Sequence, residues 1–241
     1  SVYMCANDGM LHALSADTGV ERWAYVPSAV IPNMWKLADK NYSTSHTNYV
    51  NGSPIISDIC TANCSCDDAC VAATPANAPV WKTILVGGLN AGGRSYYALD
   101  ITNPATPVLM WEISSTDTNF SNLGYSYGQP VITKKSDGTW VVLVTSGYNN
   151  TSPGDGKGYL YVLNANTGAR ISAIATTAGD TTTPSGLAKV AGWNDFGGIN
   201  NSVGYVYGGD LLGNLWRFDI NTGAALKFAM LNDSLGNAQP V

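Results

Sequence analysis

Four segments of this chain repeat one pattern, and this repeat constrains the fold more than any other feature of the sequence. Each segment is a short aromatic and aliphatic run, followed by Asp or Asn and then by a turn-forming residue. The copies span residues 10–19, 96–104, 159–168 and 215–223. Such runs predict a strand that leads into a hairpin turn. Gly19, Gly168 and Gly223 close three of these turns, and we expect each to adopt a positive φ.

The repeating unit contains four predicted strands, because one further β-rich segment follows each turn and two precede it. Residues 52–57 and 128–133 match as first strands, and residues 185–190 form a weaker third copy. Units of this kind predict an all-β fold, a partial β-propeller of about three and a half four-stranded blades in one domain. The predicted blades are 52–114, 128–175 and 184–230, with residues 1–27 as the last three strands of an earlier blade and residues 58–80 as a Cys-rich insertion loop.

Other features fit this organisation. Trp23 and Trp111 lie on the last strand of their units, and we interpret both as contacts between neighbouring blades rather than as ligand-stacking groups. One short helix is expected around Ile31–Ala38. The chain starts directly in a predicted strand and stops without a closing element, so we expect it to be a piece of a larger propeller.

Composition excludes several classes of function. Only 12% of the residues are charged, about half the usual share. Twelve Lys and Arg stand against 17 Asp and Glu, a net charge of -5 without basic runs, which argues against a nucleic-acid partner. No apolar stretch approaches the roughly 18 residues that a membrane-spanning helix needs.

Two families share the repeat. Residues 14–23 resemble the blade repeat of quinoprotein propellers, which bind pyrroloquinoline quinone in dehydrogenases. A longer resemblance is to the C-terminal propeller domain of the PilY family, the pilus-tip adhesins and assembly factors of type IV pili. It is carried in the same order by residues 6–14, 21–27, 85–100, 123–131, 145–150 and 207–219.

The PilY resemblance implies a non-catalytic binding and assembly module that supports pilus extension, surface attachment and twitching motility. The implied partners are pilins or minor pilins and a host or abiotic surface. The implied location is the cell surface of a Gram-negative bacterium, at the pilus tip or outer membrane after export through the periplasm. The alternatives are part of a quinoprotein dehydrogenase and a non-catalytic scaffold of outer-membrane assembly.

The resemblance also implies a calcium site in the loop 192–202, whose oxygen-bearing residues are Asn194, Asp195, Asn200 and Asn201. Calcium prefers six to eight oxygen ligands, several of them carboxylates, and only Asp195 is charged here. A turn held by side-chain hydrogen bonds is therefore the alternative. Asn149, Asn150 and Asp155 form a second oxygen-rich loop, for which a long hairpin loop is the alternative. No organic cofactor is expected.

The insertion contains Cys60, Cys64, Cys66 and Cys70 within eleven residues. Two disulfides are the favoured interpretation in an oxidising compartment, and a metal site and free thiols are the alternatives. Three pairings are possible, and the sequence does not choose among them. We favour the pair Cys60–Cys70 and disfavour Cys64–Cys66, because a one-residue spacer strains the bridge. Cys5 is expected to be a buried apolar residue.

Catalytic motifs are not found in the sequence. The two histidines, His12 and His46, show no order suggestive of a Ser/His/Asp triad. The glycine-rich stretch 87–93 lacks the Lys-Ser/Thr of a phosphate-binding loop and is predicted to be a hairpin turn. Asp100, Asn164 and Asp219 occupy equivalent repeat positions, which favours a structural role as turn caps.

Overall fold

The strands of the chain follow one another in four antiparallel sheets. The computed structural model describes residues 1–64, 78–194, 202–232, 234, 236 and 237, and within them the first sheet has three strands and the other three have four. The first two sheets comprise β1 (Val2–Cys5), β2 (Leu11–Leu14) and β3 (Glu21–Tyr25), then β4 (Ile55–Ala62), β5 (Val80–Gly88), β6 (Ser95–Asp100) and β7 (Val108–Ser114). The last two comprise β8 (Val131–Lys134), β9 (Trp140–Thr145), β10 (Tyr159–Asn164) and β11 (Arg170–Ala175), then β12 (Val190–Trp193), β13 (Tyr205–Gly209), β14 (Asn214–Asp219) and β15 (Ala224–Met230).

Each sheet is a meander in which sequential strands pair, and the first strands of neighbouring sheets lie close together. Strand β8 contacts both β4 and β12, so these strands are innermost and β7, β11 and β15 are outermost. This is the arrangement of propeller blades around an axis. The prediction of an all-β propeller is confirmed, including a first blade with three strands.

An apolar core fills each space between neighbouring blades. Strand β9 shows how the sequence achieves this, because successive side chains of a strand point to opposite faces. Val142 and Val144 enter the core shared with the second blade, whereas Val141 and Leu143 enter the core shared with the fourth. All four are fully buried. A central strand of a blade is therefore apolar on both faces, which explains its lack of alternation.

The predicted turns are confirmed in detail. Gly19, Gly168 and Gly223 have φ of 71°, 71° and 78°. At the start of the turns, Asp100 accepts a hydrogen bond from the backbone N–H of Thr102, and Asn164 and Asp219 each accept two such bonds. The expected hairpin in residues 87–93 also connects β5 and β6.

Trp23 and Trp111 join neighbouring blades, as predicted. The indole N–H of Trp23 donates to the carbonyl of Pro104, and that of Trp111 donates to the carbonyl of Ala165, at 2.9 and 3.0 Å. Both acceptors lie in the turn between the third and fourth strands of the next blade. Each Trp therefore reaches from the outermost strand of one blade to the next blade along the chain.

Two predictions of local structure need correction. The expected short helix is a 3-10 helix that runs from Ser28 to Ala38 and contains Pro32, which has no N–H to donate. The expected strand at residues 185–190 begins only at Val190. Ser185 and Leu187 instead use their backbone groups to bond the loops of the third and fourth blades. No helix among the described residues has both the length and the apolar character needed to cross a bilayer.

Candidate binding face

One end of the blades carries all the connections between blades. Because the strands are antiparallel, the loops between second and third strands emerge at the same end as the connections between blades. We call this end the loop face; it comprises residues 6–10, 26–54, 89–94, 115–130, 146–158, 176–189 and 210–213. Loops positioned by a rigid scaffold are the usual location of binding residues.

The connection between the second and third blades is fixed to both of them. Ser126 donates its backbone N–H to Gly93 of the second blade at 3.2 Å. Tyr125 and Tyr148 form an antiparallel bridge to the third blade, in which the N–H of Tyr125 donates to the carbonyl of Tyr148 at 2.7 Å. These backbone bonds place side chains from distant parts of the sequence next to one another.

Three tyrosines meet at this position and line a cleft, which we call the tyrosine cleft. Its volume is about 660 Å³, and it is lined by Ala91, Tyr125, Tyr127, Tyr148, Asn149, Pro184, Gly186 and Leu211. The rings of Tyr127 and Tyr148 lie 5.1 Å apart and are inclined by 53°. Tyr127 is 38% exposed and Leu211 is 47% exposed. In the described part of the chain, no hydroxyl of the three tyrosines has a hydrogen-bond partner.

Arg94 borders the cleft from the second blade. Its guanidinium lies 5.4 Å from the ring centre of Tyr125 and donates to the carbonyls of Ser152 and Asn149 at 3.0 and 2.6 Å. These contacts hold the loop 146–158 of the third blade. Two of the five guanidinium N–H groups are used in this way, which leaves three for a further acceptor.

The predicted oxygen-rich loop of the third blade is held by its own hydrogen bonds. Asp155 accepts from the N–H of Lys157 at 3.0 Å and from the hydroxyl of Tyr159 at 2.7 Å. Together with burial, which is the larger cause, this carboxylate raises the pKa of Tyr159 to about 12. Asn150 is fully buried and its amide N–H groups donate to two carbonyls, while its Oδ1 has no partner. Asn149 has a φ of 58°. The cation site at Asn149, Asn150 and Asp155 therefore stays a prediction beside its hairpin-loop alternative.

The other predicted calcium loop follows β12 at the opposite end of the blades. Asn194 is described there, and it has a partner. Asp195, Asn200 and Asn201 lie outside the described residues, so this calcium site stays a prediction. Across the described ranges, no three His, Cys, Asp or Glu side chains are grouped in a way that could hold a metal ion.

The insertion contains a disulfide, but not the pairing that we favoured. Cys60 is bonded to Cys64, with a Cα–Cα distance of 5.6 Å, so the predicted bridge Cys60–Cys70 is wrong. Cys60 lies in the last part of β4 and Cys64 just beyond it, where a turn of the chain brings them together. Cys66 and Cys70 lie outside the described residues. Cys5 is free and partly buried, and burial raises the pKa of its thiol.

The sequence did not lead us to predict one buried carboxylate on the loop face. Asp210 is 2% exposed and accepts hydrogen bonds from the backbone N–H groups of Leu212 and Asn214, from Ser185 Oγ and from Trp216 Nε1. It thus joins the hairpin β13–β14 to the connection that precedes the blade. The signal in the sequence was the position of Asp210 between Gly209 and Gly213, in the turn between two predicted strands.

The tyrosine cleft was also missed as a site. Tyr125 and Tyr127 alternate in the sequence and Tyr148 follows a strand, but only the bridge between the two segments brings them together. A search for metal-ligating or catalytic residues does not detect an aromatic cleft.

Taken with the sheet order, these features define a β-propeller domain. The chain belongs to the PilY1 beta-propeller domain family, whose family model matches residues 1–234. The family assignment from the sequence is confirmed.

Three known proteins show how far the similarity extends. The chain is 36% identical to the type IV pilus biogenesis factor PilY1 of Pseudomonas aeruginosa strain PAO1 over 96% of this chain and 18% of that protein. It is 37% identical to a PilY1 homolog of Xylella fastidiosa over 100% of this chain and 18% of that protein. The crystal structure of the P. aeruginosa PilY1 C-terminal domain matches with a TM-score of 0.73 and 30% identity, over 100% of this chain and 48% of that one. The chain therefore spans less than a fifth of the length of these curated relatives.

Proposed function

We propose that this chain is a non-catalytic binding and assembly module of a type IV pilus biogenesis factor. The observation that carries the proposal is the family match over residues 1–234, together with relatives that are named for pilus biogenesis. In this proposal the protein supports pilus extension, surface attachment and twitching motility. It acts at the cell surface, which it reaches by export through the periplasm.

The loop face is the surface that we assign to the partner. It presents the tyrosine cleft, with partly exposed aromatic and aliphatic side chains on a framework fixed by backbone bonds between blades. Aromatic anchors in concave sites are the residues that most often dominate protein interfaces. Pilins or minor pilins, and a host or abiotic surface, are the proposed partners.

A deletion strain complemented with the full-length gene tests this function. We expect deletion to reduce surface pili, twitching zones and attachment, and complementation to restore all three. Pilin levels in the cells serve as a control, since loss of assembly should leave pilin present but unassembled. Normal piliation in the deletion strain would contradict the proposal.

The quinoprotein alternative is distinguished by chemistry. If the full-length protein oxidised alcohols with an artificial dye acceptor and showed quinone absorbance, the non-catalytic proposal would be wrong. Calcium binding at the loop 192–202 is a separate proposal, supported by the oxygen-bearing side chains of that loop. A calcium titration of wild-type protein and Asp195→Ala tests it, and equal affinities would remove this loop as the site.

A further inference from the structure

We propose that the tyrosine cleft binds an extended acidic segment of a partner protein, with one apolar side chain of that segment among the three rings. The inference rests on the proposed function, because it specifies the chemistry that a pilus partner presents to the loop face. It is carried by three observations: the lining of the cleft, its unpaired hydroxyls and the two cations near it.

The interior of the cleft suits an apolar side chain. Small and aliphatic residues (Ala91, Pro184, Gly186 and Leu211) line it together with Tyr125, Tyr127 and Tyr148. A volume of about 660 Å³ lies within the usual range for a ligand-binding pocket. Partial exposure of Tyr127 and Leu211 leaves apolar surface for a ligand to cover.

The unpaired tyrosine hydroxyls favour a peptide in an extended conformation. An extended chain that is not part of a sheet leaves its backbone N–H and C=O groups unpaired. The phenols of the cleft can donate to those carbonyls and accept from those N–H groups. An oligosaccharide is matched less well, because Asn149 is the only other described lining side chain with a hydrogen-bonding group.

The charges at the edges favour an acidic ligand. Arg94 lies 5.4 Å from the ring centre of Tyr125, and Lys189 lines a pocket of about 190 Å³ together with Tyr127. Among the described residues, no Asp or Glu lines the cleft or that pocket, and neither cation has an ion-pair partner. Arg94 also lines a neighbouring cavity of about 730 Å³, whose lining includes Glu112 and Asp117. In a chain with a net charge of -5, the cleft and the adjoining pocket thus contain no carboxylate and have two cations beside them, which is complementary to negative charge.

The test uses purified full-length protein and fluorescein-labelled peptides. The probe is a short peptide in which Leu and Asp alternate; matched peptides alternate Leu with Lys, and Ser with Asp. We expect fluorescence anisotropy to show binding of the Leu–Asp peptide, at least about tenfold tighter than either matched peptide. Added salt should weaken this binding, because the charges are solvent-exposed.

Two variants locate the binding site. Tyr127→Ala and Lys189→Ala should each weaken binding of the Leu–Asp peptide by about tenfold. Both side chains are partly or largely exposed, so the thermal unfolding temperature should stay near that of the wild type. Trp35→Ala and Lys40→Ala are the matched controls, because both residues are exposed and neither lines the cleft.

Several results would overturn the inference. Equal binding of the three peptides would remove the proposed chemistry, and unchanged binding by the Tyr127 and Lys189 variants would remove the site. Displacement of the Leu–Asp peptide by a neutral oligosaccharide would identify a glycan site instead. The pilus function is judged separately: a deletion strain without pili, complemented fully by Tyr127→Ala, would refute the cleft as the partner site and leave the proposed function standing.

Discussion

At the scale of single residues, the turns of the repeat combine local chemistry with contacts from the preceding blade. Gly168 adopts a φ of 71° and lies against the indole of Trp111, where an added Cβ would stand 2.6 Å from Trp111 Cγ. Gly223 has a φ of 78° in the equivalent turn, but an added Cβ would meet no atom within 4 Å. The two glycines therefore separate the cost of backbone strain from the cost of crowding.

We predict that Gly223→Ala lowers the free energy of unfolding by about 1 kcal/mol, because alanine is strained at positive φ. Gly168→Ala should cost about 1–3 kcal/mol more, because the ring of Trp111 must also move. Denaturant unfolding of both variants, followed by circular dichroism, measures the difference. If both variants lost the same free energy of unfolding, the ring of Trp111 would not hinder a Cβ at position 168.

At the scale of elements, one side chain connects a hairpin to the connection that precedes its blade. Asp210 accepts from Ser185 Oγ, from Trp216 Nε1 and from the backbone of its own hairpin β13–β14. Trp216 is 1% exposed, so its indole N–H has no solvent to replace the carboxylate. Removing the acceptor leaves a buried donor unpaired, which costs more than the net value of one hydrogen bond.

We predict that Asp210→Asn destabilises the protein by about 3 kcal/mol, because an amide N–H₂ faces some of these donors and cannot accept from them. Asp219→Asn is the control and should change stability by less than about 1 kcal/mol, since a turn tolerates either residue there. Asn164 already fills the equivalent position of the third blade and accepts the same two backbone bonds. Thermal unfolding compares the two variants, and a similar small shift in both would contradict the role of Asp210.

Elements with local signals were predictable, and elements set by distant contacts were not. The turn at Asn164 and Gly168 follows from residues that are neighbours in the sequence. Residues 185–188 have a strand-like sequence, yet their backbone groups bond loops of two blades, which no local pattern reveals. The tyrosine cleft depends on the pairing of Tyr125 with Tyr148. Likewise, the pairing of Cys60 depends on where β4 ends, and the spacing of the cysteines cannot choose among the possible pairings.

At the scale of the whole molecule, stability is distributed over repeated interfaces. Each described core lies between two neighbouring blades, and no core is internal to one blade. Titratable groups are also distributed over several blades, because turns of the second, third and fourth blades carry Asp100, Asp137 and Asp219. The first blade differs, because its charged group with a shifted pKa is a histidine, His12. The dependence of stability on pH therefore has two contributions of opposite direction.

His12 supplies the first contribution. Hydrogen bonds to Glu21 at 2.5 Å and to Asp8 at 2.9 Å raise the pKa of its imidazole, with the bond to Glu21 as the larger cause. A raised pKa means that the folded state binds the proton more tightly than the unfolded state. The stabilisation is therefore complete below the unfolded pKa of about 6.5 and is lost as the pH rises through the folded value.

The turn carboxylates supply the second contribution. Hydrogen bonds from the backbone of Thr139 and from Lys135 lower the pKa of Asp137 to about 2. Burial opposes ionisation of Asp100 and Asp219, but hydrogen bonds from their turns outweigh it and lower the pKa of both. This stabilisation is present above the unfolded pKa of about 3.9 and is lost as the pH falls through the folded values.

We therefore predict that stability is greatest between about pH 4 and pH 6.5, where both contributions are present. Thermal unfolding across the pH range measures this for the wild type. Two variants then show which group causes the loss of stability on the acidic side and which causes the loss on the alkaline side. His12→Gln should lower the unfolding temperature mainly on the acidic side of the histidine transition, and its difference from the wild type should shrink at higher pH. Asp137→Asn should lower the unfolding temperature above about pH 4 and converge with the wild type in stronger acid. A His12→Gln deficit that grows with rising pH would show that the imidazole is not stabilised as a cation by Glu21 and Asp8.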